Sequence, residues 1–231
     1  MRRTILQFKV LATLLFAVAA NSALSQCSSL YYFQKGKVVK MAIYTKGDEL
    51  SGEMVYTVQN IESAGKGTKA TVQSEYFNKK GKKIMDNTAN YICSADTIKA
   101  DMSTFIPSAS QQLFKNAKTT IEATNLSYPS KLKDGQTLPD GSFTATTDMG
   151  MFKQSVSVNI TDRKVIGKET ITAAGKSWDC YKISYTCTIA VKSMISSKHD
   201  IHTTEWYAPS FGVLKTDSGD AGRTEVTSIS N

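Results

Sequence analysis

Residues 36–81, GKVVKMAIYTKGDELSGEMVYTVQNIESAGKGTKATVQSEYFNKKG, decide the fold of this chain. Runs rich in Val, Thr and Tyr occupy Gly36–Thr45, Ser51–Ile61 and Thr68–Phe77, and a turn containing Lys and Gly follows each run. Glycine supplies the positive φ that tight turns need, and short regular runs between such turns are typical of antiparallel strands. The segment therefore predicts a β-meander.

The same pattern returns in the second half of the chain. Ser155–Ile160 (SVSVNI) alternates apolar and polar residues, as a half-buried strand does. Lys164–Thr172 is predicted to pair with Trp178–Ala190 across the turn Ala174–Lys176. Three further runs complete the pattern: His202–Ala208, Val213–Thr216 and Thr224–Ile229.

Between the halves the strand pattern is interrupted. Pro107–Lys118 begins with Pro and continues with helix-forming residues, which predicts one short helix. A turn-rich stretch near residues 125–142 is predicted to join two halves of one sheet. The expected fold is mainly β: a curved antiparallel sheet, or open half barrel, of about eleven strands with one short helix.

The N-terminus predicts export. Arg2, Arg3 and Lys9 precede the apolar run Val10–Ala20, and Ala23-Leu24-Ser25 offers a cleavage site before Gln26. The apolar run is shorter than the ~20 residues of a membrane-spanning helix. Residues 1–25 are therefore predicted to be a cleaved signal peptide and residues 26–231 a single β-rich domain, periplasmic or secreted, with no transmembrane anchor after cleavage. Lipid attachment at Cys27 is the alternative, although Gln26 is not the small residue that lipoprotein processing prefers.

The charge of the chain argues against nucleic acid as a partner. The whole chain has a net charge of +8, and loss of the three basic residues of the signal peptide leaves about +5. Arg163 and Arg223 are the only arginines of the mature chain, whereas nucleic-acid readers depend on Arg for bidentate contacts. The sequence has no P-loop or dinucleotide motif, and we expect no cofactor.

Four cysteines, Cys27, Cys93, Cys180 and Cys187, would meet an oxidising compartment after export. Cys180 and Cys187 lie in one predicted strand, where seven residues span ~23 Å, whereas the Cα atoms of bridged cysteines lie within ~7 Å. These two should not pair with each other. Cys27 with Cys93 is the preferred disulfide.

Residues able to carry catalysis or hold a metal are few. His199 and His202 are the only histidines, and on a strand residues three apart point to opposite faces, so they would not share one ion. No nucleophile elbow supports hydrolysis. Glu53, Glu62 and Glu75 are predicted to face outward. The sequence thus indicates neither an enzyme nor a metal site.

Several short motifs, in order, resemble the TapB-like family of exported bacterial proteins of unknown function. The motifs are Tyr128-Pro129-Ser130, Gly135–Pro139 (GQTLP), Gly167-Lys168-Glu169, Ala174-Gly175-Lys176, Asp179–Ile183 (DCYKI), Glu205–Pro209 (EWYAP) and Gly212–Lys215 (GVLK). The resemblance, over roughly residues 27–230, implies an exported β-rich domain and, by a looser fold analogy, an open barrel similar to periplasmic lipoprotein carriers. It brings no catalytic residues. Cys187 departs from the family pattern.

Two functions follow as hypotheses. The first is a non-enzymatic binding module whose curved sheet holds an apolar ligand, such as a lipid or acyl chain, or a segment of an envelope protein. The second is a structural or accessory envelope protein without a small ligand. Trp206 and Tyr207 are the candidate ligand contacts, and packing against Tyr181 or Tyr185 is their structural interpretation.

Overall fold

The computed structural model describes residues 27–94, 97–102, 118–148, 150 and 153–231. These residues form thirteen antiparallel strands joined in one sheet. The strands are β1 (Val38–Tyr44), β2 (Leu50–Ala64), β3 (Gly67–Asn78), β4 (Lys83–Ser94), β5 (Thr97–Asp101), β6 (Lys118–Ala123), β7 (Asn125–Pro129), β8 (Gly141–Asp148), β9 (Lys153–Ala173), β10 (Lys176–Lys192), β11 (Ser197–Ala208), β12 (Gly212–Asp217) and β13 (Arg223–Ser230).

The mainly β prediction is confirmed, although the strand count is thirteen rather than about eleven. The predicted helix Pro107–Lys118 lies outside the described residues except at Lys118, which begins β6 rather than ending a helix. The predicted signal peptide, residues 1–25, also lies outside them. Within the predicted turn-rich stretch, Asn125–Pro129 forms strand β7, because Leu126 and Tyr128 lie opposite Ala100 and Ile98 of β5.

Strand order follows chain order almost throughout, and the first and last strands are neighbours. The order is β6-β8-β9-β10-β11-β12-β13-β1-β2-β3-β4-β5-β7. Val38 of β1 lies opposite Ser230 of β13, and Lys37 bonds to the side chain of Asn231 beside this pair. The sheet is therefore continuous between its first strand, β1, and its last strand, β13.

Strands β5 and β8 do not pair with each other, and the segment that contains β6 and β7 lies between them. β6 pairs with β8, and β7, one residue later, pairs with β5. The intervening Thr124 donates its N–H to the Ser142 carbonyl at 2.8 Å. A Cβ at Gly141 would lie 2.6 Å from Leu126 Cδ2, so glycine permits this close approach. The two edges are held together, and the sheet is nearly closed into a barrel.

The long hairpin β9–β10 extends beyond the wall of the barrel and bends back. Its tip, Ala174-Gly175, has φ angles of 49° and 71°. The Ala174 N–H donates to the carbonyl of Val226 in β13 at 3.2 Å, and the Trp178 ring lies 5.2 Å from the Phe211 ring. Irregular registers at Lys182/Ile183 and Ser184/Thr186 account for the bend, because bulges increase the local curvature of a strand.

The disulfide prediction agrees with the structure. Cys27 is bonded to Cys93 of β4, with the two Cα atoms 5.9 Å apart, and the bond secures the segment that leads into the short 3-10 turn Tyr31–Phe33. Cys180 and Cys187 are free, and they do not pair with each other, as their spacing along β10 predicted. Among the described residues, no helix has the length and apolar character needed to cross a membrane.

Candidate ligand-binding cavity

The barrel contains a cavity of about 500 Å³. Among the described residues, its wall contains three methionines and seven tyrosines. They are Met41, Met54, Met85, Tyr32, Tyr56, Tyr76, Tyr91, Tyr128, Tyr185 and Tyr207. Ligand sites in proteins are typically cavities of roughly 300–1,000 Å³ with predominantly apolar and aromatic walls. The cavity has the size and the wall chemistry of a ligand site.

Register explains how the sequence builds one wall of this cavity. Met41 of β1 lies opposite Met54 of β2, Met54 lies opposite Tyr76 of β3, and Tyr76 lies opposite Met85 of β4. Cross-strand partners share a face of the sheet, so the four side chains form a row across the inner surface. Methionine is flexible and polarizable, which suits a wall that adapts to its contents.

Tyrosine rings pack against one another on both sides of the cavity. Tyr32 stacks on Tyr91 with centroids 5.5 Å apart, and Tyr128 stacks on Tyr207 at 4.7 Å. Burial raises the pKa of Tyr32 and Tyr128 well above the ordinary value for tyrosine. The phenols are therefore neutral at physiological pH, and they offer polar hydroxyls without charge.

One part of the interior contains a buried ion pair. Arg163 is fully buried and Glu205 is 3% exposed, with Arg163 Nη2 and Glu205 Oε1 3.8 Å apart. Arg163 Nη1 also donates to the carbonyls of Ser127 at 3.2 Å and Pro139 at 2.9 Å. Buried charges cost less free energy when they are paired and hydrogen-bonded, and these contacts provide both.

A bulge in β9 directs Arg163 inward. Thr161 lies opposite Thr186 and Lys164 opposite Ser184, so Asp162 and Arg163 together face the single residue Tyr185. Asp162 has a φ of 57°, in the left-handed region that side chains other than glycine rarely adopt. The extra residue changes the alternation of the strand, which places a charged side chain in the interior.

Glu205 is held by strand β11 with its carboxyl group in the cavity wall. Its Oε2 accepts a hydrogen bond from the Tyr128 hydroxyl at 3.2 Å. Burial raises its pKa to about 7, while the Arg163 charge and the Tyr128 hydrogen bond oppose a further rise. Glu205 is therefore a carboxyl group that is partly protonated near neutral pH.

Four buried polar atoms of this site have no hydrogen-bond partner among the described residues. They are Arg163 Nε, Arg163 Nη2, Glu205 Oε1 and the Tyr207 hydroxyl. Glu205 and Tyr207 line the cavity, whereas Arg163 lies behind its wall. Since most buried polar groups in proteins are hydrogen-bonded, four such atoms close together in one site are unusual.

The structure separates the two predicted ligand contacts. Tyr207 lines the cavity, but Trp206 does not, because neighbouring strand residues point to opposite faces. The Trp206 Nε1–H donates to Glu169 at 2.9 Å, and its ring lies 5.3 Å from Lys182 Nζ and 4.8 Å from Lys215 Nζ. Trp206 belongs to a second, apolar cluster of buried residues and does not line the cavity.

The histidines and acidic residues considered from sequence lie outside the cavity wall. His199 and His202 are exposed on β11, opposite Ile189 and Thr186 respectively, and so on different faces. No group of three or more metal-ligating side chains occurs within the described part of the chain. The outward prediction is confirmed for three glutamates, which form surface ion pairs with lysines: Glu53 with Lys40, Glu62 with Lys69 and Glu75 with Lys83.

Sequence reasoning missed Arg163 and Glu205. A signal for Glu205 was present, because Ile201, Thr203, Glu205 and Tyr207 alternate along β11 and so share the inner face. No comparable signal marked Arg163, whose position depends on the bulge.

Known structures with this fold support the β-barrel architecture. A Parabacteroides distasonis protein described as a lipoprotein is 20% identical, with a TM-score of 0.68, over 87% of this chain and 99% of its own. A Bacteroides fragilis protein described as exported, with a YmcC-like fold, is 16% identical, with a TM-score of 0.67, over 86% and 97%. At these identities the likeness shows the fold alone. No curated protein is significantly similar in sequence.

One family model matches the sequence, and its description is DUF3108-like. The TapB-like name is not confirmed by this match, whereas the broader expectation of an exported β-rich family is supported. The match covers residues 34–229, from just before β1 almost to the end of β13. The chain therefore belongs to the DUF3108-like family.

Proposed function

We propose that this exported β protein is a non-enzymatic binding module that holds an apolar ligand, such as a lipid or acyl chain, inside its barrel. The cavity of about 500 Å³ is the observation that carries the proposal. Its wall combines methionine and aliphatic side chains with tyrosine rings, which are the surfaces on which an acyl chain packs.

The size of the cavity supports an occupant. A cavity of about 500 Å³ leaves the apolar side chains of its wall without packing partners, so they forgo the dispersion contacts of a filled core. An apolar ligand that packs against the wall would offset this cost and stabilise the folded state.

Export sets the place of action. The predicted signal peptide and the descriptions of the two structural neighbours support a protein of the periplasm or cell envelope. A single sulfur cannot be both bonded to Cys93 and acylated, so the Cys27–Cys93 disulfide favours the form without a lipid on Cys27. A carrier without that anchor could move its ligand between compartment surfaces.

A binding assay with matched variants tests the proposal. The probe is N-phenyl-1-naphthylamine, an uncharged dye that fluoresces in apolar surroundings. Ile189→Trp places a bulky ring in the cavity, whereas Ala190→Trp adds the same ring at the neighbouring position, which does not line the cavity. We expect dye binding to the wild type and to Ala190→Trp, and at least a tenfold loss with Ile189→Trp.

Two further measurements complete the test. Native mass spectrometry of protein purified from its host should show added mass that disappears after organic extraction. Bound ligand should also slow the labelling of Cys187, whose thiol lines the cavity, but not that of Cys180, which lies elsewhere. No dye binding, a clean apo mass and unchanged labelling would reject the binding module in favour of a structural or accessory envelope protein.

A further inference from the structure

The turn between β10 and β11 carries two large apolar side chains in solvent. Met194 and Ile195 are each 85% exposed, whereas the other exposed large apolar residues of the described chain reach only 51–55%. A single apolar residue on a surface is normal. Two adjacent ones exposed to this degree form a contiguous apolar patch, and such patches mark sites of interaction with proteins or membranes.

The β10–β11 hairpin extends past the strand beside it. Its two strands pair as far as Val191 and Ser197, whereas β12 pairs with β11 from Thr204 onward within the described residues. The part of β11 that reaches beyond β12 is therefore Ser197–Thr203, a length of roughly 23 Å at about 3.3 Å per residue. The apolar tip lies beyond the end of β12, where it can meet a surface.

One side chain pairs the backbone polar groups at the tip. Ser193 Oγ donates to the Ile195 carbonyl at 2.7 Å and accepts a hydrogen bond from the Ile195 N–H at 3.3 Å. Unpaired backbone groups are costly in a lipid phase, because no water is present to bond them. The two local hydrogen bonds therefore lower the cost of moving Ile195 into an apolar phase.

Lysines flank the apolar pair on both strands. Lys192 ends β10, Lys198 lies near the start of β11, and both are exposed. Lys198 lies opposite Ala190, so Lys192, two residues further along β10, is on the same face. Lys198 also pairs with Asp200 at 3.3 Å, which leaves one positive charge in excess beside the tip. Apolar side chains next to lysines are typical of segments that bind anionic membrane surfaces.

The shape of the tip favours lipid over a protein partner. A specific protein interface buries about 800 Å² on each partner and involves roughly 20–30 residues a side. A turn with two apolar side chains offers much less than that, whereas a lipid surface needs only a few side chains that reach its acyl region.

We propose that Met194 and Ile195 dock the protein on an anionic lipid surface, with Lys192 and Lys198 at the headgroups. This inference goes beyond the proposed function and does not depend on it, since the tip residues do not line the cavity. The two would work together, however. Ile189 lines the cavity and lies on the same strand three residues before Lys192, so docking would bring the cavity near a lipid source.

Co-sedimentation of the protein with lipid vesicles tests the docking tip. One set of vesicles contains phosphatidylcholine and phosphatidylglycerol, and the other contains phosphatidylcholine alone. We expect binding to the anionic vesicles and weaker binding to the neutral ones. Ile195→Asp should reduce the affinity for the anionic vesicles at least tenfold, because the transfer of one isoleucine side chain is lost. Ile166→Asp, which adds the same charge at another exposed isoleucine in β9, should bind as the wild type does.

A second pair of variants tests the lysines. Lys192→Gln combined with Lys198→Gln should weaken binding to the anionic vesicles roughly tenfold. Lys131→Gln combined with Lys133→Gln removes the same charge from two exposed positions between β7 and β8 and should have little effect. All four tip and control variants should retain binding of N-phenyl-1-naphthylamine, which separates docking from the cavity.

The outcomes divide clearly. Loss of vesicle binding in Ile195→Asp but not in Ile166→Asp would support the docking tip. Absence of binding to either vesicle, or equal binding by these two variants, would overturn it and leave the binding module intact. Equal weakening by both lysine pairs would also overturn it, since general charge attraction would then account for the binding.

Discussion

Arg163 Nη2 and Glu205 Oε1 face each other 3.8 Å apart inside the barrel, where neither side chain has more than 4% of its surface exposed. Arg163 comes from a bulge in β9 and Glu205 from the regular part of β11, so the pair joins two strands separated in the sheet by β10. Replacing Arg163 leaves the Glu205 carboxyl and the carbonyls of Ser127 and Pro139 buried without the guanidinium that they contact.

Arg163→Met should therefore destabilise the protein by about 3–5 kcal/mol in urea-induced unfolding, the usual effect of breaking a buried ion pair. Arg223→Met is the matched control. Arg223 pairs with Asp48 at 2.8 Å near the surface, where such ion pairs contribute about 1 kcal/mol or less. Equal losses for the two variants would contradict a special role for the buried pair.

Stability should fall as the pH rises from about 4.5 to about 7. The Glu205 carboxyl has a pKa of about 7 in the folded protein and the ordinary glutamate value of 4.5 when unfolded. Over this window the unfolded chain releases a proton that the folded protein retains, which favours unfolding by up to roughly 3 kcal/mol. Urea unfolding at several pH values measures the slope.

Glu205→Gln is the control for this pH dependence, because an amide does not titrate. It should flatten the slope between pH 4.5 and 7. The lowered pKa values of Glu169 and Asp200 act in the opposite direction and at lower pH, since those carboxylates lose their stabilising contacts when protonated. An unchanged slope in Glu205→Gln would assign the titration to another group.

The stacked pair Tyr128 and Tyr207 should respond differently to loss of the hydroxyl. The Tyr128 hydroxyl donates to Glu205, so Tyr128→Phe should cost about 1–2 kcal/mol of stability in the ligand-free protein. The Tyr207 hydroxyl is buried without a partner among the described residues, so Tyr207→Phe should be neutral or slightly stabilising. Thermal unfolding of both variants checks the contrast, and a larger loss for Tyr207→Phe would contradict it.

The disulfide should account for a large part of the stability. Cys27 and Cys93 are separated by 66 residues, and closing a loop of that length corresponds to roughly 4 kcal/mol in the chain-entropy model. Cys93→Ser should lower the midpoint of urea unfolding accordingly, whereas Cys187→Ser, which removes a free thiol, is the control. Peptide mapping without reductant should recover Cys27 linked to Cys93; recovery of an acylated Cys27 would refute the disulfide.

Much of the fold follows from local sequence. Gly36–Phe77 predicted β1–β3 because period-two alternation and glycine-containing turns act over a few residues. Strand β7 was missed because Asn125–Pro129 contains turn-forming residues, and its pairing with β5 is a contact with a segment distant along the chain. Propensity does not determine such pairings.

The candidate site was less predictable. Trp206 and Tyr207 were both named as candidate ligand contacts, although neighbouring residues of a strand point to opposite faces and only Tyr207 lines the cavity. Arg163 was considered only as one of the two arginines of the mature chain, and nothing in its local pattern indicated burial, which is rare for charged residues. Only the register of β9 against β10 shows the bulge that brings it inside.

The pairing of Val38–Tyr44 with Arg223–Ser230 also sets the order in which the molecule can assemble. A chain that crosses a membrane from its N-terminal side presents β1 long before β13 arrives, and in that interval one edge of β1 has no neighbour. Exposed strand edges recruit other chains, and sheets that depend on distant pairings fold slowly. For a chain exported N-terminus first, we therefore expect the edge of β1 to need protection until β13 has emerged.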